Sequence, residues 1–235
     1  MTSGNGSDNG LGNVLVTGGA SGLGAAVVQA VQEAGGTPIA LDRVAPKADV
    51  QHEIVDLVDR RDAEDKVRAV SGRVGGLDAV VTAAGVDSCG KLDDVPAEDW
   101  DRVVLVNLLG TVAVVRAALP DLKQRRGHVV TVGSTLGLKA VSDATAYSAS
   151  KFGVTGFSRA LAAETQGEVG VTMLVPGGME TSFFEGRDEQ YKPPPDFRLN
   201  KPENVAQAVI FALQQPEWCE VRELVVTPSV EGSWP

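Results

Sequence analysis

Short apolar runs alternating with helical stretches constrain this chain more than any other feature it carries. Strand-type runs fall at residues 13–16, 37–41, 51–55, 79–82, 128–132, 169–174 and 221–226. Between them, residues 22–34, 61–72, 97–125, 144–166 and 202–214 carry helical spacing. Pro202 and Glu203 open the last stretch with a preset φ and a first-turn acid, both favourable at a helix N-terminus. Strands joined by helices are read as a parallel sheet, which has to be covered on both faces. The prediction is therefore an α/β fold, a doubly wound parallel sheet of about seven strands with helices on both sides. A chain of 235 residues buries a full core as one domain, and neither a linker nor an internal repeat divides it. That domain is expected over residues 13–235. Residues 1–12 are rich in Gly, Asn, Ser and Asp and are expected to lack order.

The first strand–helix junction is the most specific local pattern. Val14-Leu15-Val16 runs into Thr17-Gly18-Gly19-Ala20-Ser21-Gly22-Leu23-Gly24, and an alanine- and valine-rich helix follows until Gly35-Gly36. Strand, glycine turn and helix make a pyrophosphate-binding geometry of Rossmann type: glycines admit the phosphates close to the backbone, and the first helical amides point at the anion. Thr17, Gly18, Ser21, Gly22, Leu23 and Gly24 are the candidate contacts. The second strand run ends in Asp42, roughly 20 residues beyond the glycines, where a carboxylate accepts from both ribose hydroxyls of an adenosine. It would repel a 2′-phosphate, so NAD is expected rather than NADP, although Arg43 beside it pulls the other way.

A second constellation lies in the middle of the chain. Tyr147-Ser148-Ala149-Ser150-Lys151 places a phenol and an ammonium four residues apart, on one helix face. A free phenol keeps its proton to about pH 10, and a cation beside it is expected to bring that pKa down towards neutrality. Ser134, thirteen residues upstream, adds a hydroxyl donor. Together the three groups suit proton exchange with a carbonyl or alcohol oxygen.

In order and spacing these motifs resemble the short-chain dehydrogenase/reductase family, in its compact single-domain branch, over about residues 13–181. The family's Thr-Gly-x-x-x-Gly-x-Gly turn matches Thr17, Gly18, Gly22 and Gly24. Its Tyr-x-x-x-Lys matches Tyr147 and Lys151, and its catalytic serine matches Ser134. Asn107 falls on its active-site asparagine, which holds a water that relays protons from the lysine. Pro176, Gly177 and Thr181 match the segment beside the nicotinamide, and Asp56 with Leu57 the contact to adenine. Thr82-Ala83-Ala84-Gly85 departs from the family's Asn-Ala-Gly turn: a hydroxyl replaces the amide that braces the sheet, while the backbone contacts of Ala83, Ala84 and Gly85 to the cofactor are expected to survive. The final strand, Glu223 to Val226, lacks the Asp-Gly-Gly ending of many members.

The resemblance implies an oxidoreductase that moves a hydride between NAD and a secondary alcohol or ketone, with Tyr147 as acid/base. A catalytically silent cofactor-sensing protein of the same fold is the alternative; it would have no need of Ser134, Asn107, Tyr147 and Lys151 together. An extended-branch sugar-nucleotide epimerase or dehydratase would need a larger C-terminal domain than this chain has room for.

Composition excludes other classes. A net charge of −10 argues against nucleic acid and against an anionic membrane surface. The apolar runs read as too short to span a bilayer, and with no secretion signal in view a cytoplasmic protein is expected. Cys89 and Cys219 have no metal spacing and are expected as reduced thiols, while His52 and His128 stand alone without an assigned role. Ala149, Gly153, Gly156 and Ala160 form a small-residue stripe on the Tyr147 helix, read as a dimer or tetramer contact. Residues 182–201 are irregular, with Phe183, Phe184, Tyr191, Phe197 and Pro193-Pro194-Pro195, and are expected to cover the reacting end. Leu136, Leu138, Val141, Met179 and the two phenylalanines are expected to line an apolar substrate wall. Arg187, Lys192 and Arg198 are the charges that could meet an acidic group.

Overall fold

The computed structural model describes residues 10–234. Seven parallel strands form one sheet in the order β3-β2-β1-β4-β5-β6-β7. They are β1 (Asn13–Thr17), β2 (Thr37–Asp42), β3 (Gln51–Ile54), β4 (Ala79–Thr82), β5 (His128–Val132), β6 (Gly170–Pro176) and β7 (Glu223–Val226). The helices are α1 (Gly22–Glu33), α2 (Arg60–Val74), α3 (Ala97–Val104), α4 (Thr111–Arg125), α5 (Thr145–Glu164) and α6 (Pro202–Leu213). The chain winds outwards from β1 in one direction and from β4 in the other. Such a reversal opens a crevice at the carboxyl ends of the two central strands.

Strand alternation divides the core in two. Leu15, Ile39, Val80 and Val129 point to one face and pack with Val67, Val114 and Leu122 of α2 and α4. Val14, Val16, Ala40 and Val81 point to the other and meet Val27, Val31, Val205 and Val209 of α1 and α6. The central strands are buried on both sides, which is why they read as unbroken apolar runs.

Three expectations need correction. The helical stretch 97–125 is one rod, but Leu105–Gly110 within it is π-helical. At 29 residues, with a most apolar 18-residue window of mean hydropathy 2.0, it is long and apolar enough to cross a membrane, contrary to the reading that every apolar run is too short. More than half of its most apolar window is buried within the chain, against the sheet and neighbouring helices. Of the segment 1–12, residues 1–9 lie outside the described residues; Leu11 packs on the core and the Gly12 carbonyl accepts from Thr37 N. The small stripe on α5 also divides: a Cβ at Gly153 would come within 2.6 Å of Leu108, a contact inside the chain, whereas Gly156 has open space.

Candidate active site

The crevice is a cleft of about 510 Å³ running from the β1 turn to the C-terminal segment. Gly18, Ser21, Gly22, Leu23 and Gly24 line one end, with Leu41, Asp42 and Arg43 from the end of β2. Asp56 and Leu57, which follow β3, and Ala83, Ala84 and Gly85, which follow β4, complete that half. The turn is held by close approach. A Cβ on Gly24 would lie 2.1 Å from the Gly18 carbonyl oxygen, and Gly18 itself, at φ +69°, would meet the backbone of Ala84 at 2.9 Å. Asp42 steadies it further, one carboxylate oxygen accepting from Ala20 N at 2.9 Å and the other from Arg43 N at 2.6 Å. Thr17 does not reach the cleft. Its side chain is buried, and Oγ1 accepts from Ala84 N at 3.1 Å, tying the β1 turn to the β4 turn beneath the site.

Ser21 precedes α1 without making a side-chain cap, and the first turn carries no acid. The first helical amides are thus left to an anion from outside the helix. With glycines that admit a backbone approach and a carboxylate at the end of β2, this half fits a dinucleotide. Asp56 pairs with Arg102 at 3.1 Å. Partial burial pushes its carboxyl up, but the Val58 amide, Arg102 and Arg43 outweigh that and hold it below the usual range. Arg102 lines the cleft and was not among the sequence candidates.

The reacting half gathers Ser134, Tyr147 and Lys151, all buried and all lining the same cleft. Ser134 leaves β5 and caps a short 3₁₀ turn, its Oγ accepting from Leu136 N at 3.1 Å. Lys151 Nζ donates to the Val132 carbonyl at 2.8 Å and lies 5.6 Å from the Tyr147 ring centroid. The ammonium thus lies over the phenol ring and is hydrogen-bonded to backbone. Burial pushes Tyr147 up to about 12; Ser134 and Arg187 oppose the shift and Asp87 adds to it. Burial also depresses Lys151 to about 8, with Asp87 opposing. At these two residues removal from water is the largest cause of the shift, the reverse of the balance at Asp56.

Asn107 is placed by the π-helical segment, a common device at functional sites. Its amide brackets one residue of the loop after β4: Oδ1 accepts from Val86 N at 2.8 Å and Nδ2 donates to Val86 O at 2.9 Å. Nδ2 also donates to Ser150 Oγ at 3.1 Å. The side chain braces the loop after β4 and is not part of the cleft wall. At Thr82 no such brace replaces the missing amide, because Oγ1 is buried without a hydrogen-bond partner.

Pro176, Gly177 and Thr181 line the cleft beyond β6, and Phe183, Phe184, Pro193, Pro194, Phe197 and Leu199 come from the following loop. Leu136 and Met179 belong to the wall, whereas Leu138 and Val141 lie outside it. Arg187 is not a solvated loop charge: it is largely buried against Asp87, and both line the cleft. Lys192 pairs with Glu189 and Arg198 is exposed. Sequence reasoning also missed Glu231, Gly232 and Ser233, which fold back on the site. Glu231 accepts from Gly178 N at 3.0 Å, and Ser233 Oγ bonds to Thr135 Oγ1 at 2.7 Å. No local pattern announces such a return. His128 has a structural place, bonded to Thr172 Oγ1 at 2.8 Å, and burial lowers its pKa to about 4.

The sequence matches the short chain dehydrogenase family model over residues 12–192. An uncharacterized oxidoreductase of Staphylococcus aureus (strain MW2) is 30% identical over 226 residues, spanning 91% of this chain and 96% of that protein. A second, from Staphylococcus epidermidis (strain ATCC 12228), is 29% identical over 225 residues, with the same coverage of 91% and 96%. Among solved structures, an alcohol dehydrogenase from the archaeon Thermococcus sibiricus, complexed with 5-hydroxy-NADP, superposes with a TM-score of 0.82 at 23% identity, over 91% of this chain and 95% of that one. Thermoplasma acidophilum aldohexose dehydrogenase in ligand-free form gives 0.84 at 24% identity, over 94% of each. At these identities the two structures establish likeness of fold.

Proposed function

The chain belongs to the short-chain dehydrogenase family, and from that premise we propose that it interconverts a secondary alcohol and a ketone with a nicotinamide dinucleotide, Tyr147 serving as acid/base. One observation carries the reading: Ser134, Tyr147 and Lys151 line the same cleft as the glycine turn. When bound, the dinucleotide supplies or accepts the hydride. The glycine turn and the first turn of α1 would hold its phosphates, Asp42 its ribose hydroxyls, and Pro176, Gly177 and Thr181 its nicotinamide end.

The remaining work falls to the protein. Tyr147 is protonated at neutral pH and donates to the carbonyl oxygen as charge develops on it, while the Ser134 hydroxyl positions that oxygen. In the reverse direction the phenol must accept the alcohol proton as phenolate, and any positive charge brought alongside favours that state. Lys151 lies over the Tyr147 ring and would bind the nicotinamide ribose. Residues 182–201 shield the exchange from water. Asp42 favours NAD. The NADP analogue bound by the Thermococcus sibiricus enzyme makes comparison of both cofactors part of the test.

Self-association belongs to the same reading, supported by Ala149, Phe152, Gly156 and Ala160, a small and apolar stripe on the exposed face of α5. Light scattering should give a dimer or tetramer mass.

The deciding experiment is a screen of ketones and secondary alcohols with NAD(H) and NADP(H), following absorbance of the reduced nicotinamide. Tyr147→Phe should lower turnover of any substrate found by on the order of 10³-fold, with cofactor affinity within about twofold. Undiminished turnover in that variant would remove the assigned acid/base.

A further inference from the structure

The substrate end of the cleft holds an ion pair that the proposed chemistry does not use. Arg187 donates to Asp87 Oδ2 at 2.9 Å, the two side chains being only 15% and 7% exposed. Cys89 Sγ donates to the same oxygen at 3.3 Å, and Oδ1 accepts from Ser88 N at 2.8 Å. The guanidinium lies 4.6 Å from the centre of the Phe183 ring and 4.8 Å from that of Phe184. Phe183 in turn lies 5.6 Å from the Tyr147 ring. A charged pair joining segments 100 residues apart thus sits one aromatic ring from the phenol.

An arginine flanked by phenylalanines at the mouth of an apolar pocket is ordinarily well suited to a carboxylate or phosphate on a substrate. Here that capacity is taken. An incoming anion would have to share the guanidinium with Asp87 at close range, or displace it and leave a buried carboxylate without its cation. Glu231 adds a further carboxylate to the same cleft. An uncharged substrate meets Phe183, Phe184, Met179 and Leu199 and disturbs no charge.

We propose that Asp87 and Arg187 set the charge specificity of this site, restricting it to uncharged carbonyl or alcohol substrates because Asp87 occupies the guanidinium an anionic group would need. The inference rests on the oxidoreductase reading above.

Matched ketones test it: ethyl acetoacetate against acetoacetate, and ethyl levulinate against levulinate. The wild-type protein should prefer each ester at least 100-fold in kcat/KM. Asp87→Asn keeps the shape and frees Arg187, and should shrink that preference at least tenfold. Adding Arg187→Gln should restore it to within about threefold. A preference unchanged in Asp87→Asn, or wild-type enzyme consuming acids as readily as esters, overturns the assignment. Calorimetry needs no turnover: benzyl alcohol should bind the wild-type protein and benzoate should not, so equal binding refutes the idea even where Asp87→Asn fails to fold. If esters and the wider ketone panel alike go unreduced with either cofactor, the oxidoreductase reading fails and the specificity argument falls with it. Reduction of esters without a charge bias removes only the role of the pair.

Discussion

The two halves of the cleft are made of different material. Around the glycine turn the working surface is backbone, fixed by approaches so close that a single added carbon would collide with the Gly18 carbonyl. Around Tyr147 it is side chains taken out of water, and burial has moved a phenol up to about 12 and an ammonium down to about 8. The first half is specified chiefly by shape. The second is specified by charge, and its composition costs stability.

That difference is sharpest at Lys151. A lysine displaced from its ordinary 10.5 to about 8 destabilises the folded state by roughly 3 kcal/mol at neutral pH. Lys151→Met should therefore abolish activity, by about 10³-fold or more, and yet raise stability by about 1–3 kcal/mol at pH 7. The lower end allows for the Val132 carbonyl losing its donor. The pH dependence has a definite sign. Between about pH 8 and 10.5 the unfolded chain binds more protons at this residue, so wild-type stability rises with pH. Below pH 8 the penalty is complete and constant. Tyr147 acts in the opposite sense above pH 10, where the unfolded phenol ionises and the folded one keeps its proton until about 12. Denaturant midpoints of the wild type should thus climb from pH 8 towards 10 and then fall. The climb should be missing in Lys151→Met, and its persistence there would assign the effect to another group.

Gly24→Ala tests the other half and should have a smaller effect on turnover per bound cofactor. The methyl group has 2.1 Å to the Gly18 oxygen, so the turn has to shift. A cost of about 1–3 kcal/mol is expected, as weaker dinucleotide binding by roughly 10- to 100-fold together with lower stability. kcat at saturating cofactor should stay within about threefold, and the pH profile should not move. A displaced pH profile would mean that the two halves are coupled and that the division drawn here is wrong.

The same division explains what the sequence could announce. β1, the glycine turn, α1 and Asp42 lie within thirty residues of one another and are recognisable because their geometry is local. Tyr147 and Lys151 are legible because one helical turn fixes their relation. Spacing reveals the neighbouring cation but not the loss of water that raises the phenol. Asp87 with Arg187, and Glu231 with Gly178, are pairings across 100 and 53 residues that no periodicity encodes. The π-helical segment at Leu105–Gly110 was also silent, because apolar spacing continues across it and only the side-chain direction changes. Thr17 and Asn107 occupy family positions, yet here both bind backbone beneath the cleft. A motif names the residue without saying which of its groups are free.

Thr82 lies on the boundary of the two halves and should show the smallest effect. It ends β4 between Thr17 of β1 and Thr131 of β5, is 2% exposed, and its hydroxyl has no hydrogen-bond partner. A buried hydroxyl left unpaired costs on the order of 1 kcal/mol, and valine has the same shape without it. Thr82→Val should leave cofactor affinity and pH profile unchanged and raise the unfolding free energy by about 0.5–1 kcal/mol in urea titrations at pH 7. A loss of similar size would mean that the hydroxyl is bound after all, by a buried water. The shape-determined half would then reach one residue deeper into the sheet than its glycines do.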